Sequence, residues 1–226
     1  PTRRSSDLRP VPFSVVYEDD DILVVDKPAD TPIHPSIGNY ENTLANGIAW
    51  YFEQKGEPFV YRCINRLDRD TTGLIVLAKH ALSAAVLSQA MRSREIHRTY
   101  QAFALGETAA SGTIDAPIAR LNGSLIQRTV DFASGERSVT HYRTLAHCSV
   151  FSHLELNLET GRTHQIRVHM AYIGHPLLGD TLYNKTPGTF PRQALHSASL
   201  SFVHPITGEP LNFHAPLPED MQNLLT

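Results

Sequence analysis

Apolar residues along the chain fall into short runs with two kinds of spacing, separated by polar turns. Residues 13–17 and 22–25 read as two strands around the acidic turn Glu18-Asp19-Asp20-Asp21; Ile22-Leu23-Val24-Val25 has the unbroken β-branched character of a buried strand. Pro28, Pro32 and Pro35 then hold an irregular loop. Over residues 43–53 the spacing of Leu44, Ile48 and Phe52 predicts a helix, capped by Asn42 or Thr43, with Gly56 past its end. Residues 59–63 and 74–78 are strand-like, and residues 80–91 read as a helix with Leu82, Val86 and Ala90 on one stripe. Residues 98–105, 138–145 and 150–158 alternate as strands, the last through Val150, Leu154, Leu156 and Leu158. Residues 119–137 form a connection containing Gly and Arg. Ile166, Met170 and Ile173 predict a helix over residues 163–173, capped by Thr163 and stopped around Gly174 and Pro176. Residues 197–202 and 211–214 form a hairpin across Pro205-Ile206-Thr207-Gly208. Strands joined by short turns dominate, with few helices and no internal repeat, so the expected class is α+β.

Composition narrows the biology. The chain has 226 residues; at about 150 residues per domain this is one large domain, or one with a small appendage. Residues 1–10 are polar and patternless and are expected to be a disordered lead-in or an assembly scar, leaving 11–226 as one domain. Apolar residues at 41% against 19% charged support a sizeable core and exclude a disordered chain. No stretch approaches the roughly 18 apolar residues of a membrane span. No apolar segment follows the arginines of the first residues, so no secretory signal is expected. Cys63 and Cys148 cannot make a disulfide framework or a four-thiolate zinc site. A cytoplasmic, monomeric, membrane-free protein is the expectation. Twenty Lys and Arg against 23 Asp and Glu give a net charge of −3, which as a sum argues against a nucleic-acid binder. The arginines nevertheless gather at Arg62, Arg66 and Arg69, at Arg92, Arg94 and Arg98, and at Arg162 and Arg167. Folded together, these groups make a local positive groove on an acidic protein.

Three segments carry candidate chemistry. Asn65-Arg66-Leu67-Asp68-Arg69-Asp70-Thr71-Thr72-Gly73 lies between two apolar strands and must be a loop, since strand interiors shun Asp and Gly. Its plain reading is a charged turn; its functional one is an aspartate held ionised between two arginines at the end of a buried strand. Gly161-Arg162-Thr163-His164-Gln165-Ile166-Arg167-Val168-His169 is a Gly turn entering a helix, where cationic side chains suit phosphate; the plain alternative is a capped helix with a solvated basic face. His164 and His169 are five apart, off the i, i+4 spacing of paired zinc ligands, and no other histidine arrangement suggests a metal. The third segment, Arg98-Thr99-Tyr100, leads into a strand with Tyr100 expected half-buried. The acid run at residues 18–21 reads as a solvated turn. No nucleophile elbow, P-loop or dinucleotide fingerprint occurs.

Together these segments resemble the RluA-type pseudouridine synthases. The resemblance continues through Gly174-His175-Pro176-Leu177-Leu178-Gly179-Asp180, Leu195-His196-Ser197, His204-Pro205-Ile206-Thr207-Gly208-Glu209 and Phe213-His214-Ala215-Pro216, over residues 14–220. It implies a mixed, mostly antiparallel sheet with flanking helices and a central cleft. It also implies isomerisation of uridine to pseudouridine in structured RNA, ribosomal or transfer, without cofactor or metal. Asp68 matches the family's catalytic aspartate, Tyr100 its active-site tyrosine, Arg167 the basic residue that pairs with the aspartate, and Leu195 the apolar residue beside the target base. Arg66 matches an arginine that holds the flipped base's place, and Arg69, Arg162 and His164 are expected to bind substrate. Asn65 stands where the family usually has His, so that position cannot titrate. The N-terminal RNA-binding domain common in the family is not in this sequence, which implies a minimal member or a chain cut before residue 11. The residues fit the chemistry. An aspartate of ordinary pKa, about 3.9, is ionised at pH 7 and acts as nucleophile at the anomeric carbon or as base toward the sugar. Arg167 would orient and shield it, while Tyr100 would stack on the uracil and transfer a proton. Extruding the uridine costs a few kcal/mol. A non-catalytic RNA-binding module of the same fold would need the arginines without Asp68 and Tyr100.

Overall fold

The computed structural model of the chain describes residues 8–36, 38 and 40–225. In chain order the elements are β1 (Ser14–Glu18), β2 (Ile22–Lys27), α1 (Leu44–Lys55), β3 (Thr72–Ala78), α2 (Ala81–Arg92), β4 (His97–Leu105), β5 (Ser111–Asp115), β6 (Ile118–Arg120), β7 (Arg128–Val130), β8 (Val139–His147), β9 (Phe151–Leu158), α3 (Gln165–Tyr172), β10 (Leu195–Val203), β11 (Pro210–His214) and α4 (Glu219–Gln222). They build two compact units. The first runs up to His97 and regains Ser199–Pro216; the second is Arg98–Ala198 with the tail from Leu217.

In the first unit β1, β2 and β3 pair antiparallel in that order, with Val25 opposite Val15 on one side and Ile75 on the other. β10 and β11 form the hairpin the turn residues predict, with Leu200 opposite Phe213. Ile22, Val24, Leu74, Val76, Leu200 and Phe202 make the core of this unit, against which Leu87 of α2 packs. α1 forms as its spacing predicts: Leu44, Ile48 and Phe52 are buried, and Thr43 and Asn46 cap it reciprocally. Gly56 closes it in the left-handed conformation at φ 68°, where a Cβ is unfavourable.

α2 forms but turns differently from expectation. Ser83 and Leu87 face inward, whereas Leu82 and Val86 of the predicted stripe lie in solvent. Both sets have i, i+4 spacing, so periodicity alone does not choose between them. The choice is made by Asp21, which bonds His80 and, at 3.3 Å, the Ser83 hydroxyl, turning that side of the first turn inward. Residues 59–63 are not a strand; the segment meets β3 through one bridge, Cys63 with Leu77, flanked by Ala78 N–H to Arg62 O at 2.9 Å and Ile64 N–H to Val76 O at 3.0 Å. Beyond that point a side chain takes over the ladder, as described below.

In the second unit the strand order is β4-β9-β8-β5, antiparallel throughout, with Tyr100 opposite Leu156 and Tyr142 opposite Leu156 from the other side. Phe103, Leu178, Ala194 and Met221 form its core cluster, with Phe151, Phe190 and Leu217 packed around them. The connection over residues 119–137 contains part of a small hairpin, β6 with β7, that the Gly and Arg content conceals. α3 begins at Gln165 with His164 at φ 58° and no side-chain cap, so Thr163 does not cap it. Gln165 does the stapling instead: its Oε1 accepts from Arg162 N–H at 3.0 Å and Thr160 Oγ1 at 2.8 Å, and its Nε2 donates to Val139 O at 2.9 Å. The class is α+β, as expected.

Candidate active site

The loop around Asp68 is fixed by its neighbours in the first unit. Asn65 is buried and its amide bonds β3 twice, Nδ2 to Leu74 O at 3.1 Å and Oδ1 from Val76 N–H at 2.9 Å. A carboxamide imitates a peptide group, so Asn65 continues the backbone ladder by one rung and starts the loop at a set point. Its own carbonyl accepts from the Cys63 thiol at 2.9 Å, and burial pushes that thiol up to about 12. Leu67 is buried, Arg66 exposed and Asp68 half-buried. On the far side, the fully buried Lys27 ammonium donates to Pro28 O at 2.7 Å, Thr31 O at 2.9 Å and Arg69 O at 2.7 Å. Thr31 N–H also reaches Arg69 O, and Thr71 N–H closes a turn on Asp68 O, both at 3.1 Å. The carboxylate of Asp68 thus stands on a short arc pinned at both feet, a preorganised mount for a reacting group.

Arg66 makes no hydrogen bond or ion pair among the described residues. Burial, and after it the Arg66 charge, hold the His34 imidazole below its usual range. Arg69 is not free: its Nε donates to Asp30 at 2.6 Å. Arg162 likewise pairs with Glu136 at 2.5 Å. Both are exposed pairs, worth at most about 1 kcal/mol, so a phosphate can replace the carboxylate at little cost.

In the second unit Tyr100 is only 4% exposed, more buried than its strand position suggests. Its hydroxyl makes no hydrogen bond among the described residues. The only wholly buried side-chain nitrogen or oxygen lacking a partner among them is Arg98 Nε, so the Tyr100 hydroxyl keeps contact with solvent. Arg167 is held by Asp180 in a two-pronged pair, Nε to Oδ2 at 2.7 Å and Nη2 to Oδ1 at 2.9 Å. Asp180 Oδ1 also accepts from Leu182 N–H at 3.0 Å and Tyr183 N–H at 3.2 Å, and the guanidinium lies 5.1 Å over the Tyr183 ring. Tyr183 in turn accepts from Arg128 N–H at 2.8 Å and bonds His164 Nδ1 at 2.7 Å. His164 is therefore engaged in fixing this network. Leu195 is buried at the start of β10, its carbonyl held by Arg192 Nη1 at 3.3 Å. Sequence reasoning assigned no role to Asp180; the signal was an acid directly after Leu177-Leu178-Gly179, where burial forces a charge to have a partner.

The acidic run is not a solvated turn. Glu18 accepts from Tyr51 at 2.6 Å, Lys55 at 2.7 Å and Lys79 at 3.0 Å; burial alone would raise its pKa, but these donors hold it below the usual range. Asp19 and Asp21 meet His204 within 4.8 Å, a grouping of ligand types that sequence spacing hides. His204 Nδ1 accepts from Ile206 N–H at 3.3 Å and Thr207 N–H at 3.0 Å, so Nε2 carries the proton it donates to Asp19 at 3.0 Å. With both ring nitrogens used, the triad is a structural clasp and does not fit a metal.

Residues 21–172 match the family model described as RNA pseudouridylate synthase. The chain belongs to the RluA-type RNA pseudouridine synthases. This synthase is 45% identical over 217 residues to the Uncharacterized RNA pseudouridine synthase YjbO of Bacillus subtilis, covering 96% of this chain and 76% of that one. It is 44% identical to Ribosomal large subunit pseudouridine synthase D of Vibrio cholerae, covering 93% and 69%, and 42% identical to its namesake of Escherichia coli K12, covering 95% and 70%. Among solved structures it is similar to Human RNA Pseudouridylate Synthase Domain Containing 1, with a TM-score of 0.76, 26% identity and coverage of 92% and 84%. The synthase is an isomerase acting on RNA, and the non-catalytic reading falls away.

Proposed function

We propose that this synthase isomerises a uridine in RNA of the large ribosomal subunit, as a cytoplasmic monomer, with Asp68 as the reacting carboxylate. The observation that carries the role of Asp68 is its mount: a half-buried carboxylate on an arc fixed by Asn65 on one side and by Lys27 on the other. The names of relatives 42–44% identical over most of the chain support the ribosomal target. In this reading the carboxylate adds to the anomeric carbon, or takes the neighbouring sugar proton, as the bond from base nitrogen to sugar breaks. The freed uracil turns, and its carbon forms the new bond; Tyr100 gives or takes the proton that this exchange requires. Arg167, locked by Asp180, supplies a fixed positive charge where negative charge develops. Arg66 takes up the room left by the extruded base, and Arg69 and Arg162 exchange weak surface carboxylates for phosphates.

The test uses large-subunit RNA, small-subunit RNA and transfer RNA, each transcribed without modification and incubated separately with the protein. Pseudouridine is mapped by carbodiimide-dependent stops. New pseudouridine confined to large-subunit RNA, with unbroken strands, is expected. Modification of transfer RNA alone would overturn the ribosomal reading.

A further inference from the structure

β4 carries a second polar side chain on the same face as Tyr100. Strand side chains alternate, so Arg98 and Tyr100 project together, about 6.7 Å apart along the strand, while Thr99 turns away and donates to Asn157 Oδ1 at 3.0 Å. Arg98 has no hydrogen bond and no ion pair among the described residues. Its situation is unlike that of its neighbours in this unit: Arg137 holds Glu159, Arg143 holds Glu155, Arg162 holds Glu136, Arg167 holds Asp180 and Arg192 holds Asp220. Each nearby acid on the turn that carries Gly161 is already taken, Glu159 additionally by His141.

The two edges of the guanidinium differ. Nε is wholly buried and unbonded, so the stem is held in place by packing. Nη1 and Nη2 are equally unbonded, and since they are not among the buried unpartnered atoms, they meet solvent. They lie 3.6 and 3.5 Å from where a Cβ on Gly161 would stand, so the absent side chain at residue 161 leaves the outer edge clear. An arginine cannot lose its charge to escape such a position. A cation with an immobilised stem, an open fork and no acid beside it is matched by an anion with two oxygens. We propose that Arg98 binds a phosphate of the RNA strand next to the target uridine, setting the register of the nucleotide whose base meets Tyr100. The inference rests on the reading of Tyr100 as a substrate-facing residue.

The experiment uses a short synthetic RNA around the mapped uridine, in which the phosphate on either side of that uridine is replaced in turn by a neutral methylphosphonate. Both Kd and turnover are read, so failure of the RNA to react would count against the choice of target while Kd still tests Arg98. For the wild type, one of the two replacements should weaken binding about 10- to 100-fold. Arg98→Gln should weaken binding of unmodified RNA by a similar factor and lose its sensitivity to that same replacement. Equal sensitivity in Arg98→Gln and wild type would overturn the proposal. So would a wild type indifferent to both replacements, a result independent of how well the variant folds.

Discussion

At Asp68, exchanging a carboxylate oxygen for an amide nitrogen keeps the volume and removes the charge. Asp68→Asn should lower turnover at least about a thousandfold while leaving the unfolding midpoint in urea within error, because the side chain is half-buried. Substantial turnover would remove Asp68 from the chemistry. Tyr100→Phe keeps the ring and loses the unbonded hydroxyl; a fall in turnover of about a hundredfold or more with little change in RNA Kd is expected. An unchanged rate would confine Tyr100 to packing. Asp180→Asn attacks Arg167 indirectly. It breaks a buried two-pronged pair, which costs about 3–5 kcal/mol, and frees the guanidinium to turn. The residue-level candidates were legible because each lies in a short motif whose residue types and spacing are read directly along the chain. Asn65, Lys27 and Asp180 were not assigned roles, since their work is done on backbone groups and partners far away in sequence.

Elements take their positions from contacts more than from propensity. The loop that carries Asp68 illustrates this: Lys27 at the end of β2 ties Arg69 O, 42 residues on, to the same ammonium as Thr31 O. Lys27→Met should leave the Pro28 and Thr31 carbonyls without the ammonium donor at about 1–3 kcal/mol each, while Arg69 O keeps Thr31 N–H, and should loosen the mount of Asp68. Urea unfolding and turnover should fall together, and a variant of wild-type stability would show that the carbonyls find other donors. Gly179 is the second such point. At φ 68° a Cβ would stand 1.9 Å from Arg192 O, an overlap with backbone that no rotamer relieves. Gly179→Ala should therefore fail to reach the native state, read as loss of a cooperative transition. α1 was legible to its closing Gly56 and to two candidate N-caps, Asn42 and Thr43, because its signals are local, whereas the inward face of α2 depends on Asp21, 59 residues before its partner His80.

The whole molecule carries −3 charges yet binds RNA, and affinity should fall with salt by a slope of about −0.7 per phosphate neutralised on single strands. Its stability should respond to pH in two windows. Burial holds His169 and His153 below their usual range, so the unfolded chain binds their protons first. That stability is complete above about pH 6.5 and is lost as pH falls toward the depressed folded values. Glu18 and Asp19 are held below the carboxylate range by hydrogen-bond donors that outweigh burial, so their contribution is complete above about pH 4 and is lost below it. Urea midpoints between pH 5 and 8 should rise with pH, and His169→Gln should flatten that slope; a slope unchanged in the variant would place the effect elsewhere.

The sequence by itself determined the class, most strands, the span of α1 with Gly56 past its end, and the hairpin of β10 with β11, and it named the candidate site residues, because alternation, turn chemistry and short motifs are properties of neighbouring residues. Only the tertiary structure decided that Asn65 serves as a rung of β3, that the acidic run is a clasp closed by His204, that His164 is spent on Tyr183, and that Arg98 makes no hydrogen bond or ion pair among the described residues. These are matters of which donor meets which acceptor across the fold. A hydrogen bond depends on distance and angle in space, and spacing along a chain carries that information only within a few residues.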